Sequence, residues 1–278
     1  MKQYLTVFCI FLWSIWIGFA YTPNETDTKH LNEIKGVLNT VSTNDLWNYY
    51  QQFSILQQAV GNNDDKLNYY LTHLRDHSYN LFTTLKNLAK QQSKQEKSAF
   101  LEYHKDNLLL NTEVANNCLG RYNTLDNLSF AHNFPTALTI AVWYRESTCS
   151  YALPRNGNGP FQIISKDYGS GEITEEIFLQ TVKDFLNFSW NKIIRYNDRN
   201  IGNELSVNLG YTGASYTDLW RFSALYNGLS WGTVYGEISP TAPKYFLEGY
   251  ENDIRDGEHK KDWIFSMYLK MLEWELGH

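Results

Sequence analysis

The chain has 278 residues, 43% of them hydrophobic, and a formal net charge of −6. That is enough apolar material for one large or two modest globular units. The acidic balance and the lack of any long basic run disfavour a nucleic-acid partner. Neither Cys-x-x-Cys nor His-Glu-x-x-His occurs, so no metal and no cofactor is expected.

Residues 1–20 read as a targeting segment. Lys2 supplies one positive charge, Tyr4 to Ala20 is almost unbroken apolar sequence, and Gly18-Phe19-Ala20 offers the small residues that a signal peptidase needs. Cleavage is the preferred reading. An uncleaved anchor in the membrane is the alternative, because the run is near the lower length limit of a span. Cys9 has no small-residue lipobox before it. In either case the body of the chain is expected to be exported, to a periplasmic or extracellular location.

Residues 21–110 form the next expected region, helical from residue 29. Leu46, Tyr49, Tyr50, Phe53 and Leu56 recur at steps of three and four, as do Leu67, Tyr70, Leu71, Leu74, Leu81, Leu85 and Leu88. Gly61-Asn62-Asn63-Asp64-Asp65 reads as a turn, with Asp64 or Asp65 as the N-cap of the next helix. The polar run from Lys90 to Lys97 reads as another turn. Two or three antiparallel helices are expected, with the aromatic stripe as core. The region carries no catalytic constellation. A spacer, a cover on the second unit and a protein-binding hairpin formed by residues 29–110 all remain open.

Residues 111–278 hold the chemistry. Asn111 to Arg121 begins the unit, and Leu125 to Phe134 leads into an apolar helix that Pro135 starts from its first turn. Leu138, Ala141 and Val142 form a stripe on that helix. Glu146 lies four residues after Val142 and projects from the same face. Partial burial and the negative end of the helix dipole both disfavour its ionised form. A carboxyl still protonated near neutrality can give its proton to a leaving oxygen. The plainer reading is a solvated glutamate paired with Arg145 or a lysine.

Cys118 and Cys149 flank this helix. In an oxidising compartment two cysteines most simply pair, which would fix the end of the helix that carries Glu146. Two unpaired buried thiols are the alternative. A nucleophilic cysteine is disfavoured, because no histidine partner motif accompanies either residue.

Further along, Tyr168-Gly169-Ser170-Gly171 reads as a turn and Thr174-Glu175-Glu176 as the start of a long helix through Ile194. Asn200 to Tyr216 reads as a loop and Asp218 to Tyr226 as a helix. Asp262 to Glu275 reads as a closing amphipathic helix, with Ile264, Met267, Tyr268 and Met271 on its buried side. No sustained β alternation appears, so the fold class is all-α.

Three motifs in order, Arg145-Glu146-Ser147, Gly159-Pro160-Phe161-Gln162-Ile163 and Ala224-Leu225-Tyr226-Asn227-Gly228, resemble those of the lytic transglycosylase family, which shares the goose-type lysozyme fold. The resemblance covers residues 111–278. That family's pattern is Glu-Ser, then Gly-Leu-Met-Gln with an aliphatic residue, then Ala-Tyr-Asn-x-Gly. The resemblance implies a lysozyme-like domain preceded by a helical hairpin or small bundle. It implies Glu146 as catalytic acid, and Ser147, Gly159, Gln162, Tyr226 and Asn227 around the substrate. A tyrosine lining the cleft falls at Pro243-Lys244-Tyr245. The chain departs from the pattern at Pro160-Phe161, at Leu225 between Ala224 and Tyr226, and before Tyr245, where an acidic residue and an arginine are missing.

The implied reaction cleaves peptidoglycan glycan strands between N-acetylmuramic acid and N-acetylglucosamine, leaving a 1,6-anhydro sugar. One carboxyl serves both proton transfers, because the nucleophile belongs to the substrate. A hydrolase normally needs a second carboxylate, about 5–5.5 Å away if retaining and about 6.5–9.5 Å if inverting. Asp167 and Glu172 are the candidates, and neither sits in a recognisable motif. A goose-type lysozyme is thus the alternative enzyme. A non-catalytic wall-binding or assembly protein on the same scaffold is the alternative outside catalysis. The net negative charge offers no bulk attraction to an anionic wall, so wall binding would need a specific cleft. The aromatic fraction of 16% suits either a sugar cleft or a core.

Overall fold

Helices carry most of the residues that the computed structural model describes, namely 21–61, 63–103, 116–198, 204, 222 and 264–278. No strand occurs among them, in keeping with an all-α chain. They are α1 (Glu25–Leu38), α2 (Thr43–Val60), α3 (Asp65–Tyr103), α4 (Asn116–Leu119), α5 (Tyr122–Ala131), α6 (Thr136–Ser147), α7 (Glu175–Asn197) and α8 (Ile264–Gly277). The chain divides into two compact units, Met1–Leu88 and Ala89–His278. That division falls inside α3. The boundary expected between residues 110 and 111 lies outside the described residues, as do the expected targeting segment at 1–20, the expected loop at Asn200 to Tyr216 apart from Glu204, and most of the helix expected at Asp218 to Tyr226. No helix among the described residues is long and apolar enough to cross a membrane.

In the first unit each helix start is fixed by its own sequence. The Asn24 side chain accepts from the Asp27 N–H at 2.9 Å, and the Asp27 carboxylate accepts from the Asn24 N–H, a capping box. Ser42 caps α2 by accepting from the Asp45 N–H. Asp64 accepts from the Leu67 N–H at 2.9 Å, so of the two N-cap candidates Asp64 serves α3. α2 and α3 run antiparallel, with Gln57 against Thr72, Tyr50 against Tyr79 and Trp47 against Phe82. Leu46, Trp47, Phe53, Leu71, Leu74 and Phe82 are buried between them and α1, as the three- and four-residue spacing requires. Asp27 is buried too. Burial pushes its carboxyl up, but Lys66 at 2.9 Å together with hydrogen bonds from Asn24 and Tyr70 holds it well below the usual range.

Lys90 to Lys97, expected as a turn, is continuous helix within α3. The run contains Gln, Lys and Glu but no Gly or Pro, so nothing in it breaks a helix. Its polar groups find partners remote in sequence. Lys90 donates to Asp126 at 2.9 Å, and Lys97 pairs with Glu275, both ends being almost fully buried. Tyr122 donates to the other oxygen of Glu275 at 3.0 Å.

The second unit is built around α6. Every residue from Thr136 to Tyr144 is buried, so the single apolar stripe expected there is too narrow a description. α8 packs along α6, and α5 packs on both α6 and α7. The polar residues of α6 are accommodated in pairs. Thr139 Oγ1 lies 2.9 Å from Ser129 Oγ, and Thr136 donates to Asp126 at 3.0 Å. Met267, Tyr268 and Met271 of α8 are buried as expected. Aromatic rings fill the space on the α7 side. Phe161 stacks on Phe185 at 4.6 Å, and Phe134 meets Phe185 and Phe222.

Candidate active site

α6 begins without a side-chain cap. Pro135, at φ −64°, is its N-cap, one position earlier than a first-turn proline, and its carbonyl accepts from the Thr139 N–H. The other end is more unusual. Thr148 and Cys149 come after Ser147 at φ +54° and +55°, two consecutive non-glycine residues in the left-handed region. Such conformations cost about 1–2 kcal/mol each. They let the Thr148 N–H reach the Tyr144 carbonyl at 2.7 Å, the single bond of an αL cap, and the Cys149 N–H reach that of Trp143 at 3.4 Å.

Three contacts hold this exit, two of them from residues remote in sequence. Cys149 is bonded to Cys118, as expected from the sequence, with Cα atoms 5.2 Å apart. The Asn117 amide donates to the Thr148 carbonyl at 2.7 Å and to the Cys149 carbonyl at 3.2 Å. The Trp143 indole N–H donates to the Ser150 carbonyl at 3.1 Å. Sequence reasoning misses Asn117, whose position beside Cys118 is the one available signal.

Glu146 occupies the last turn just before this pinned exit and is half-buried. Burial raises its carboxyl above the ordinary glutamate range, and the neighbouring Arg145 charge only partly opposes that. The negative end of the α6 dipole acts in the same direction as burial. Among the described residues no hydrogen bond or ion pair engages the carboxyl. Of the plainer reading, a solvated glutamate paired with Arg145 or a lysine, the half-exposure and the Arg145 charge remain, without an ion pair among the described residues. Ser147 donates to the Trp143 carbonyl at 3.2 Å, closing the same turn.

The segment after the exit, 150–174, is a folded loop. Leu153 and Gly171 form an isolated antiparallel bridge across its neck. The Arg121 guanidinium lies 3.5 Å from the Tyr151 ring centre, and both Arg121 and the Tyr151 hydroxyl bind Glu175 at the start of α7. Phe161 and Ile163 point into the core. Phe161 stands where the resembled family carries methionine and fills core volume.

Gly159, at φ +72°, makes its close approach to protein. A Cβ there would lie 2.8 Å from the Tyr168 ring and 3.2 Å from Thr181 Cγ2. Gln162 is itself left-handed at φ +53°. Its amide N–H donates to the Gly159 carbonyl at 3.0 Å, and its carbonyl accepts from Asn156 at 2.7 Å. The structure therefore brings Gly159 and Gln162 together in one loop turn, and Glu146, Ser147 and the disulfide together at the end of α6. Tyr226, Asn227 and Tyr245 lie outside the described residues.

Of the two candidate second carboxylates, Asp167 is exposed and accepts from the Gly169 N–H at 2.9 Å, while Glu172 is exposed in the loop. The deeply buried carboxylates of this unit, Asp126 and Glu275, are each paired with a lysine. No cluster of histidine, cysteine, aspartate and glutamate able to hold a metal occurs among the described residues.

No protein family, curated protein or solved structure matches this chain. The chemistry therefore has to be argued from the site. Its central feature is one carboxyl with a raised pKa, without a partner among the described residues and fixed at the end of a buried helix. Such a group donates a proton and can take one back.

Proposed function

We propose that the chain is a peptidoglycan lytic transglycosylase, and that its second unit is a lysozyme-like domain with Glu146 as the acid and base. The observation that carries the reading is the half-buried Glu146 carboxyl, unpartnered among the described residues, at a helix end held in an unfavourable backbone conformation. Strain retained beside a polar group without a partner is characteristic of functional sites.

In this reading Glu146 gives its proton to the bridging oxygen as the bond from C1 of N-acetylmuramic acid to that oxygen breaks. The resulting carboxylate then accepts the proton of the sugar's own C6 hydroxyl. That oxygen bonds to C1 and closes the 1,6-anhydro ring. The glutamate ends protonated, as it began, and no water is consumed. Asp167 and Glu172 have no role in it. Ser147, Gly159, Gln162, Tyr226, Asn227 and Tyr245 would line the sugar subsites, as the sequence resemblance implies. The Cys118–Cys149 bond supports export, because structural disulfides persist in oxidising compartments.

Mass spectrometry of the products from purified sacculi tests the reading. Anhydro-muramic ends are expected from the native chain and none from Glu146→Gln. Reducing ends in their place would assign a lysozyme-type hydrolase. Intact sacculi would assign a wall-binding or assembly protein.

A further inference from the structure

We infer that the first unit carries a separate saccharide-binding cleft between α2 and α3. A cavity of about 650 Å³ opens there, within the size range of small-molecule sites, about 300–1,000 Å³. It lies wholly within residues 50–79. Gly61 closes α2 without a side chain, and a Cβ built on it would meet nothing within 4 Å, so this end of the cleft is open.

The lining defines the ligand by chemistry. Small-molecule pockets are mostly apolar, yet no aliphatic side chain lines this one. Tyr50 and Tyr79 present rings 5.0 Å apart and tilted by 41°, and Tyr79 is 41% exposed. They offer an apolar face with hydroxyl edges. Gln58 and Asn68 add amides that both donate and accept. Arg75 and Asp76 face one another at 2.7 Å, so their charges cancel and a strongly ionic ligand finds no counter-charge. Gln57 is fixed in advance, donating to Thr72 at 2.7 Å and accepting from Arg75.

One atom in this lining has an unmet need. Asn68 Oδ1 is buried without a hydrogen-bond partner among the described residues. A buried acceptor is normally paired, and this oxygen is closed to solvent, so a ligand hydroxyl or amide donor meets it only if the half-buried Asn68 side chain turns toward the cleft on binding. A neutral ligand with many hydroxyls and a flat C–H face satisfies all of these features. A peptide would need aliphatic subsites that the cleft lacks. The choice of an N-acetylated sugar as probe rests on the function proposed above, whereas the cleft itself does not.

The test uses the full chain carrying Glu146→Gln, so that the probe is not cleaved, and a tetramer of N-acetylglucosamine. Hydrogen exchange should show sugar-dependent protection across 50–61 and 68–79. Tyr79→Ala, and separately Gln58→Ala, should weaken that protection roughly three- to tenfold through loss of stacking or of one polar contact. Both substitutions should leave cleavage of short soluble glycans by the otherwise native chain unchanged. Absence of protection at millimolar sugar overturns the inference. So does protection that neither substitution alters, or protection by a short peptide and not by the sugar. A chain that cleaves sacculi but shows no protection here loses only the cleft. A chain that shows the protection but cleaves nothing keeps the cleft and loses the transglycosylase reading.

Discussion

The helices of the first unit and α6 of the second obey different rules at their ends, whereas α7 of the second unit, capped by Thr174 through the Ile177 N–H, follows the first. In the first, Asn24, Ser42 and Asp64 cap α1, α2 and α3 from within their own sequence. In the second, α6 starts without a side-chain cap and ends in two left-handed non-glycine residues. What holds it is remote: a disulfide to Cys118, the Asn117 amide, and the Thr136–Asp126 and Thr139–Ser129 pairs. Backbone strain that persists only under external constraint clusters at functional sites. The contrast points to the second unit for the catalytic candidate independently of any motif.

The sharpest way to break this contrast is Glu146→Gln. Lytic activity should fall below detection on purified sacculi, while the variant stays folded. Burial raises the Glu146 pKa, so the fold disfavours the ionised form. Below the ordinary glutamate pKa the folded and unfolded states both hold the proton, and the native carboxyl carries no penalty. As pH rises through the raised folded pKa, the native chain loses stability that the neutral glutamine retains. Melting temperatures should therefore coincide in acid and favour the variant at neutral pH. Turnover by the native chain should decline on the alkaline side, as the acid loses its proton. A variant less stable than native at neutral pH would assign Glu146 a structural role instead.

Next in size is the Lys97–Glu275 pair, whose side chains are only 6% and 5% exposed. Glu275→Ala should destabilise the second unit by about 3–5 kcal/mol, because it strands a buried ammonium. The double variant Lys97→Met with Glu275→Leu should recover most of that loss. Urea denaturation monitored by tryptophan emission can measure both. Equal losses in the single and double variants would show that the pair does not act as a unit.

Removing the disulfide with Cys118→Ser and Cys149→Ser should cost slightly less. The sequence separation of 31 gives about 3–4 kcal/mol by the chain-entropy estimate. The sharper readout is local. Hydrogen exchange should quicken at 144–150, because Thr148 and Cys149 then lose a constraint on their left-handed backbone, and lytic activity should fall with it. Faster exchange confined to 21–88 would contradict the assignment of this bond to the site.

Legibility in the sequence divides along the same line. The helices of the first unit can be read from three- and four-residue spacing, and Asp64 from its position before an apolar run, because those signals are local. The Cys118–Cys149 bond is legible too, since only two cysteines lie outside residues 1–20. The Lys90 to Lys97 segment looks like a turn because its buried partners, Asp126 and Glu275, lie 36 and 178 residues away. The burial of α6 on every side is hidden as well. Thr136 and Thr139 look polar until Asp126 and Ser129 are seen to satisfy them. Nothing in Thr148 or Gln162 announces a special backbone, and Asn117 is signalled only by its place beside Cys118.

Two glycines allow a smaller test of the same contrast. Gly61 and Gly159 both have positive φ, +54° and +72°, but a Cβ meets open space at the first and the Tyr168 ring at the second. Gly61→Ala should cost about 1–2 kcal/mol from backbone strain alone. Gly159→Ala should cost a further 1–3 kcal/mol or so from overpacking, and should displace Tyr168 from its 2.8 Å hydrogen bond to Asp184. Thermal denaturation of the two variants measures the difference. Equal shifts would mean that Tyr168 yields without cost.

The smallest expected effect is also the one that divides structure from chemistry within the loop. The Gln162 side chain is held at both ends, by the Gly159 carbonyl and by Asn156. A residue so engaged could serve the loop and nothing else. Asn156→Ala removes one of these bonds and leaves the glutamine in place, whereas Gln162→Ala removes both. If Gln162 also meets the sugar, its loss should lower kcat/KM several-fold, the equivalent of about 0.5–1.5 kcal/mol for one hydrogen bond to a neutral group. Asn156→Ala should then lower melting temperature with little change in turnover per folded molecule. Steady-state rates normalised to folded protein separate the two roles. Equal rates in both variants would confine Gln162 to the loop and leave Glu146 to carry the site among the described residues. A larger loss for Gln162→Ala would extend the site from the end of α6 into the loop beyond it.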